Sequence, residues 1–408
     1  MDKYKNVNEY IKNSWIKSIR KKDNRKDYPL PYDFIPPCID GALTDLYYWD
    51  TYFTNKGLYL DGFSKYAYYN IENLKYCLKD YGYVPNMCRA SVGASQPPLL
   101  FMMVKDYYNY SGDLNFLMDS YNALQLEYNF WMTERIAPNG LNKYGSLKIN
   151  EEKYIRFFKW YAGRVGLKVE DFTKDEIINF VFKFIGEGES GEDHTPRFNC
   201  CANQTVAIDL NSYLYGFERA MAEFSVILGL HEQQEWIKRA ESRLQLLKTY
   251  CYDKESGLYF DYNYIDDKKT YRYCVACYMP YVFGFSTDLD ALKKLDEKLV
   301  FNNGVVSCEK VEMDGVFQWG YPNAWAPHNY YAVLAHKNVG LNEQAKTIAL
   351  NFLNNVADEF SKSGKLYEKY DAIVGGKAVV DEYGTPEMLG WTAGVFQVLN
   401  NEYFDLLK

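Results

Sequence analysis

Two acidic segments that lie far apart in the chain hold the residues best suited to acid–base chemistry. The first surrounds Asp193, where four acids lie within residues 187–193, just before Arg197. The second is Tyr367–Asp371, which contains Glu368. Each segment alone is typical of a solvated surface turn. Together they favour glycoside hydrolysis, which takes one carboxyl group to protonate the leaving oxygen and another to activate water.

Aromatic side chains cluster in two further segments, one of which also holds a carboxylate. Tyr47–Tyr52 reads Tyr-Tyr-Trp-Asp-Thr-Tyr, and Gln318–Pro327 places two tryptophans and a tyrosine among turn-forming residues. Sugar rings offer apolar C–H faces to aromatic rings, so these segments could form the walls of a sugar site. The alternative interpretation is a corner of the hydrophobic core. An aromatic wall would also raise the pKa of a carboxyl group and help it to keep its proton.

Composition excludes several classes of protein. The 408 residues are 48% hydrophobic, 25% charged and 18% aromatic, and the aromatic content argues against disorder. The net charge of −8 argues against nucleic acid and against an anionic membrane surface as partners. We therefore expect neither nucleic acid nor a membrane as a partner, and the sugar-site interpretation of the aromatic segments predicts a small-molecule carbohydrate. The oligomeric state is not predicted.

The cysteines and the N-terminus predict a reduced, cytoplasmic setting. Nine cysteines is an odd number with no spacing typical of a disulfide framework, and the N-terminus lacks the apolar segment of a secretory signal. The pair Cys274 and Cys277 lacks the further ligands that zinc needs, and only four histidines are present. We predict buried or partly buried thiols there and at Cys200–Cys201, with no metal and no cofactor.

Helical periodicity must position these segments. Val7, Ile11 and Trp15 step by four, and an apolar stripe follows Ala345–Phe360. Thr173 and Glu176 form a capping box that predicts a helix ending near the glycines at 186 and 188. About a dozen such segments occur without a linker between them. Such a set of helices is equally compatible with a closed ring of helical hairpins and with two separate bundles.

The motifs occur in an order that resembles the trehalases, glycoside hydrolase family 37, and the related family 63 α-glycosidases, which include mannosylglycerate and glucosylglycerate hydrolases. The resemblance runs from about Asp40 to Leu399. Five blocks carry it: Tyr48–Tyr52; Val84–Asn86 with Ser95–Pro98; Glu189–Arg197; Gln318–Pro327; and Glu368–Asp371 with Glu382, Tyr383 and Gly390–Thr392.

The resemblance implies an all-α (α/α)6 barrel, with residues 1–408 forming a single catalytic domain. It implies an inverting hydrolase of a short α-glucoside, either a trehalose-like disaccharide or a glucosyl or mannosyl conjugate. Asp193 would be the general acid and Glu368 the general base, with the two carboxyl groups about 6.5–9.5 Å apart. The residues implied to bind the substrate are Tyr48, Trp49, Asp50, Asn86, Arg89, Gln96, Glu189, Arg197, Gln318, Trp319, Trp325, Glu382 and Trp391.

Departures from the family pattern predict altered recognition with retained catalysis. The arginine of the family's first block is missing from Asp40–Leu43, and the arginine before Ser-Gln-Pro-Pro is Ala94. An aspartate is replaced by Gly320, and Tyr161–Thr173 stands where a Pro-Arg-Pro-Glu-Ser block is expected. A carboxylated aglycone would need a cation. The candidates are Arg89, Arg164 and Lys168, although residues of this kind are more often surface charges.

Other functions stay open on the sequence alone. The missing arginines would suit a non-catalytic sugar-binding protein on the same fold. A phosphorylase would use phosphate in place of activated water and would not need Glu368. An epimerase would use histidines, and of the four only His194 lies in the acidic segment. Residues 138–186 are charged and aromatic and could form a lid.

Overall fold

Helices make up most of the chain. The computed structural model describes residues 2–22, 28–41, 43–89, 93–146, 151–165, 167–313, 317–379, 385–387 and 389–403. In chain order the helices are α1 Asp2–Ser18, α2 Tyr48–Leu60, α3 Ser64–Tyr81, α4 Leu100–Ser111, α5 Leu114–Glu134, α6 Glu151–Val165, α7 Lys174–Phe184, α8 Gly186–Ser190, α9 Ile208–Ile227, α10 Gln233–Tyr250, α11 Met279–Val282, α12 Leu289–Leu299, α13 Ala326–Asn338, α14 Asn342–Ser363 and α15 Gly390–Tyr403.

Within the described residues, six helices form a closed inner ring. Helices α2, α4, α9, α11, α13 and α15 each pack on the next, and α15 packs on α2. Outer helices α1, α3, α5, α10 and α14 pack against helices of the ring, and α12 packs on the short turn Val275–Tyr278 that leads into α11. The inner helices are buried on most sides, whereas α12 and α14 each bury one apolar face. This closure confirms the (α/α)6 barrel and excludes two separate bundles.

Two glycines set the closest contact of the inner ring, where α2 meets α15. A Cβ added at Gly394 would lie 1.9 Å from the carbonyl oxygen of Phe53, and one at Gly57 would lie 2.9 Å from the Cα of Gly394. Only glycine lets the two backbones approach this closely. The same contact places Trp49 and Trp391, near the starts of these helices, at one end of the barrel.

We expect Gly394→Ala to destabilise the protein by about 3 kcal/mol or more, since the clash is with backbone atoms that cannot rotate away. Urea unfolding checks the change in the free energy of unfolding. Gly93→Ala is the control, because an added Cβ there meets no atom within 4 Å. Equal stability of the two variants would contradict this account of the α2–α15 seam.

Several predicted elements are confirmed. Val7, Ile11 and Trp15 are fully buried on α1. The capping box of Thr173 and Glu176 is formed and starts α7. The stripe on α14 is buried from Ala345 to Val356, while Phe360 is only partly buried.

The strands are short and join loops at the ends of the helices. They are β1 Thr205–Val206, β2 Tyr262–Asn263, β3 Lys268–Lys269, β4 Val300–Phe301, β5 Gly304–Val305, β6 Asn323–Trp325 and β7 Lys369–Asp371. The pairings β1–β2–β3, β4–β5 and β6–β7 are all antiparallel. In the last, Trp325 pairs with Lys369. This register joins the second tryptophan-rich segment directly to the segment of Glu368.

Helices α6 and α7 form a hairpin between outer helix α5 and inner helix α9. The hairpin has a small hydrophobic core of its own, separate from that of the barrel, formed by Phe158, Ala162, Ile177 and Val181. It belongs to the predicted lid of residues 138–186. Whether this segment moves stays a prediction.

All nine cysteines lie within the described residues and are free thiols, seven of them buried. Across the described part of the chain, no group of three or more metal-binding side chains could hold an ion. No described helix combines the length and the apolar character needed to span a bilayer.

Candidate active site

A cleft of about 670 Å³ opens beside the acidic loop after α8. Four of the predicted site residues line it, namely Asn86, Arg89, Gln96 and Asp193. The other lining residues are Leu43, Tyr47, Met87, Gly93, Ala94, Ser146, Phe157, Phe184, Ile185, Gly188 and His194. Asp193 is partly buried, as a group that must reach a substrate should be.

A tight glycine turn holds the acidic loop against the barrel. Gly191, with φ of 81°, ends α8, and a Cβ there would lie 2.6 Å from the indole ring of Trp49. His194, with φ of 54°, stacks on Tyr161 of α6, with ring centroids 5.2 Å apart. The residues on both sides of Asp193 are therefore fixed by aromatic rings, one from the inner ring and one from the hairpin.

The buried carboxylate of Glu189 holds this loop in place. Its carboxylate accepts hydrogen bonds from Arg135 Nε at 2.6 Å and Nη2 at 2.9 Å. The backbone amides of Ser95 and Gly145 donate to it at 3.0 and 2.8 Å. Glu189 is fully buried. The structure therefore places this predicted substrate-binding residue in a closed ion-pair network beneath the cleft.

Arg197 is likewise buried among carboxylates. Its guanidinium donates to both oxygens of Asp261, at 2.7 and 2.9 Å, and to Asp209 at 2.5 Å. A longer contact of 3.4 Å reaches Glu192. These partners come from α8–α9 and from the loop before β2, so Arg197 ties the acidic loop to the barrel wall. It does not line the cleft.

A second charged contact fixes the other side of the loop. Glu192 accepts from His328 Nε2 at 3.2 Å, and His328 Nδ1 lies 3.1 Å from Ser307 Oγ. Burial by itself would raise the pKa of Glu192, but Arg197 and His328 outweigh it and hold that pKa below its usual range. Glu192 is thus a buried carboxylate that stays ionised next to Asp193 in the chain.

Glu187 gives Asp193 a crowded acidic neighbour. Its side chain is 1% exposed, and neither carboxyl oxygen has an aligned hydrogen-bond partner among the described residues. Burial, followed by the charge of Asp193, raises the pKa of Glu187 well above its usual range. Two carboxyl groups that share such a site resist ionising together, which favours a proton on one of them at neutral pH.

Four tryptophans form a cluster behind the cleft. Trp319 stacks on Trp325, with ring centroids 3.6 Å apart and planes at 6°. Trp49 lies 5.4 Å from Trp319 and 5.9 Å from Trp391 between ring centroids. All four are at most 4% exposed. The three predicted segments that carry them therefore meet, but their rings mainly pack on one another.

Glu368 lies deep in the structure, beside this cluster, and does not line the cleft. It directly precedes β7 and is 2% exposed. Lys369 Nζ donates to its carboxylate at 2.9 Å. Trp391 Nε1 donates to its backbone carbonyl at 3.0 Å. The backbone of Glu368 is thus tied to the tryptophan cluster, and its carboxylate is held by a buried cation.

Asp50 is the carboxyl group coupled to Glu368. It is buried in the first turn of α2. Burial raises the pKa of Asp50 to about 8, a backbone hydrogen bond opposes the shift, and the charge of Glu368 adds to it. At pH 7 the protonated form of Asp50 therefore predominates, mainly because the group is buried.

We expect stability to depend on pH through Asp50. Its pKa is higher in the folded state than the usual 3.8. The contribution of Asp50 to the free energy of unfolding is therefore present in full below about pH 4. It is lost as the pH rises to about 8, at about 1.4 kcal/mol per pH unit. Asn cannot ionise, so Asp50→Asn should gain stability relative to the wild type across this window and level off above it. Urea unfolding at several pH values checks this, and parallel curves for the two proteins would contradict it.

The remaining predicted residues lie in different places. Tyr48 is fully buried, donates to Glu127 of α5 and accepts from the amide of Leu100, so it packs between helices. The carbonyl of Gln318 accepts from the side chains of Asn323 and Trp325. Glu382 lies outside the described residues.

The three cations considered for a carboxylated aglycone also differ in position. Arg89 lines the cleft, is half-exposed and forms an ion pair with Asp45. Lys168 is exposed and does not line the cleft. The side chain of Arg164 is outside the described part of the structure.

Several residues of the site were not predicted from the sequence. They are Arg135, the buried Glu187, and Phe157 and Phe184, which line the cleft. Arg135 directly follows α5 and is 54 residues from Glu189, so no local pattern links the two. The capping box predicted α7 but not which of its faces meets the cleft. A buried Glu187 could have been suspected only from the number of acids in its segment.

The family model described as trehalase matches residues 2–153 and 180–403. The human trehalase is 29% identical over 92% of this chain and 68% of its own length. A periplasmic trehalase of Xanthomonas oryzae is 29% identical over 97% of this chain and 73% of its own length.

Two solved structures share the fold of this chain. The neutral trehalase of Saccharomyces cerevisiae superimposes with a TM-score of 0.76 at 24% identity, covering 91% of this chain and 74% of its own. The GH63 mannosylglycerate hydrolase of Thermus thermophilus gives 0.65 at 16% identity, covering 96% and 99%. The chain, a glycoside hydrolase on an (α/α)6 barrel, belongs to the trehalase family.

Proposed function

We propose that this enzyme hydrolyses an α-glucosidic bond with inversion, with Asp193 as general acid and Glu368 as general base. One observation carries the proposal. The tryptophan cluster joins the two acidic segments, since Trp49 packs under the loop of Asp193 and also contacts Trp391, whose indole bonds the backbone of Glu368. This chain of contacts supports placing the two carboxyl groups in one site.

In the proposed reaction, a single displacement at C1 breaks the glycosidic bond. Asp193 donates its proton to the glycosidic oxygen, and the bond from that oxygen to C1 breaks. A water molecule attacks C1 from the opposite face, and Glu368 takes its proton. Room for this water requires carboxyl groups about 6.5–9.5 Å apart, a distance that a crystal structure with a bound inhibitor would measure.

The surroundings of each carboxyl group support these roles. Glu187 gives Asp193 an acidic neighbour, and the pKa of Glu187 is raised by burial and by the charge of Asp193, so the two carboxyl groups can share a proton. Lys369 Nζ donates to the carboxylate of Glu368 at 2.9 Å and so gives that group a cationic neighbour. Two carboxyl groups with opposite electrostatic settings are the arrangement that divides acid from base.

Trehalose is the first substrate to test, because it is the substrate named by the relatives. Proton NMR at early times should show equal amounts of β-glucose, from the attacked ring, and α-glucose, from the leaving ring. Two α-glucose molecules would contradict inversion. Formation of glucose 1-phosphate on addition of phosphate would favour a phosphorylase instead. Binding without any turnover, for trehalose and for a panel of other α-glucosides, would favour a non-catalytic sugar-binding protein.

A cytoplasmic location stays a prediction. The nine free thiols suit a reducing compartment. A related trehalase is periplasmic, so the family is found in more than one compartment. Fractionation of cells that express the full-length protein would test the location.

A further inference from the structure

The α6–α7 hairpin gives this chain a wall that the family pattern does not describe. The trehalase family match stops at residue 153 and resumes at residue 180, so it omits most of this hairpin. Phe157 of α6 lies in the omitted part and lines the cleft. Phe184, at the end of α7, lines it beside Phe157, with ring centroids 5.7 Å apart.

Other residues that line the cleft are also apolar. Leu43 and Ala94 contribute aliphatic side chains to the lining. Met87 adds a flexible apolar side chain that can adapt to the shape of a ligand. Among the described residues, the lining of the cleft is therefore largely aromatic and aliphatic.

The polar groups of this cleft are largely engaged with the protein. Gln96 Oε1 accepts from the amide of Trp49 at 2.9 Å, and Ser146 Oγ donates to the carbonyl of Gly93 at 3.2 Å. Arg89 is paired with Asp45. Asn86 Oδ1 differs from these groups, since it accepts from no described residue. A second glucose ring would lose hydration at several hydroxyls in return for few new hydrogen bonds.

The position of Asp193 identifies which part of a substrate enters this cleft. A general acid protonates the leaving oxygen, so the group bonded to that oxygen must lie on the side of the acid. Asp193 lines the cleft, whereas Glu368 lies behind its wall. The cleft between Phe157, Phe184 and Met87 is therefore the place for the aglycone.

We propose that the preferred substrates are α-glucosides whose leaving group is a mainly apolar alcohol, alkyl or aryl, held against Phe157, Phe184 and Met87. This inference rests on the proposed function. The products would be glucose and the free alcohol, whose hydroxyl proton comes from Asp193. A carboxylated aglycone is disfavoured, because the charge of Arg89 is already compensated by Asp45.

A chain-length series tests the proposal. We expect kcat/KM to rise from methyl to butyl to octyl α-glucoside by about threefold to fourfold per buried methylene, until the cleft is filled. Phenyl α-glucoside and octyl α-glucoside should both exceed trehalose and glucosylglycerate. A flat series, or a clear preference for trehalose or glucosylglycerate, would overturn the inference.

Variants of the hairpin provide the matched test. Phe157→Ala or Phe184→Ala should lower the ratio of kcat/KM for octyl over methyl α-glucoside by about 10- to 100-fold. Phe157→Leu should recover part of this ratio if the apolar contact matters. Phe182→Ala is the control. Phe182 lies on α7, like Phe184, but is 47% exposed and does not line the cleft. Equal ratios in all four variants, with thermal unfolding showing that each is folded, would overturn the inference.

The two proposals fail in different ways. If methyl α-glucoside or trehalose is hydrolysed but apolar chains add nothing, only the aglycone inference is wrong. If none of the α-glucosides is hydrolysed, the proposed function is wrong and the inference falls with it.

Discussion

Asp193→Asn is expected to lower kcat for hydrolysis by about 10²–10⁴-fold while leaving the fold intact, because the amide cannot protonate the leaving oxygen. The loss should be largest for poor leaving groups such as sugars and alkyl alcohols. It should shrink for α-glucosyl fluoride, whose fluoride departs with little help from an acid. Steady-state assays with both kinds of substrate measure the difference.

Two comparisons make this prediction specific. Asp290→Asn changes an exposed aspartate on α12, far along the chain from the proposed acid and base, and should leave kcat/KM unchanged. Glu368→Ala should also lose activity, but azide should restore turnover of α-glucosyl fluoride and give the β-glucosyl azide, because the small anion can occupy the place of the activated water. Normal hydrolysis by Asp193→Asn would show that another group is the acid.

Arg197→Met is expected to cost about 3–5 kcal/mol of unfolding free energy, or to prevent folding. Arg197 is fully buried and balances Asp209, Asp261 and Glu192. Removing the cation leaves buried carboxylates without a counter-charge, which costs more than the loss of the contacts alone. Arg197→Lys keeps the charge but loses the two-pronged contact with Asp261, so an intermediate loss is expected.

Arg239→Met is the matched control for this prediction. Arg239 forms an ion pair with Glu235 on the surface of α10, and its side chain is 41% exposed. A surface pair of this kind contributes about 0–1 kcal/mol. Urea unfolding of the three variants should therefore order them as Arg239→Met, Arg197→Lys and Arg197→Met, from most to least stable. Similar stability of the two Met variants would contradict the structural role of Arg197.

Many helices of the barrel could be predicted because the sequence patterns that indicate them are local. The capping box at Thr173 and the steps of four from Val7 depend on residues within one or two helical turns. The motif order indicated the family and the two acidic segments. Local patterns could not choose between a ring and two bundles, since that choice depends on the contact of α15 with α2 across most of the chain.

The sequence by itself determined which residues are available for acid–base chemistry, that the chain is mainly helical, and which family its motifs resemble. Only the tertiary structure decided what each side chain meets. Glu189 lies against Arg135, Asp50 lies by Glu368, and the hairpin rings line the cleft. The physical reason is that burial and the partners of a charge depend on residues distant in the chain. The same acidic residue can therefore be an anchor, a neutral neighbour or a proposed catalyst, according to what packs around it.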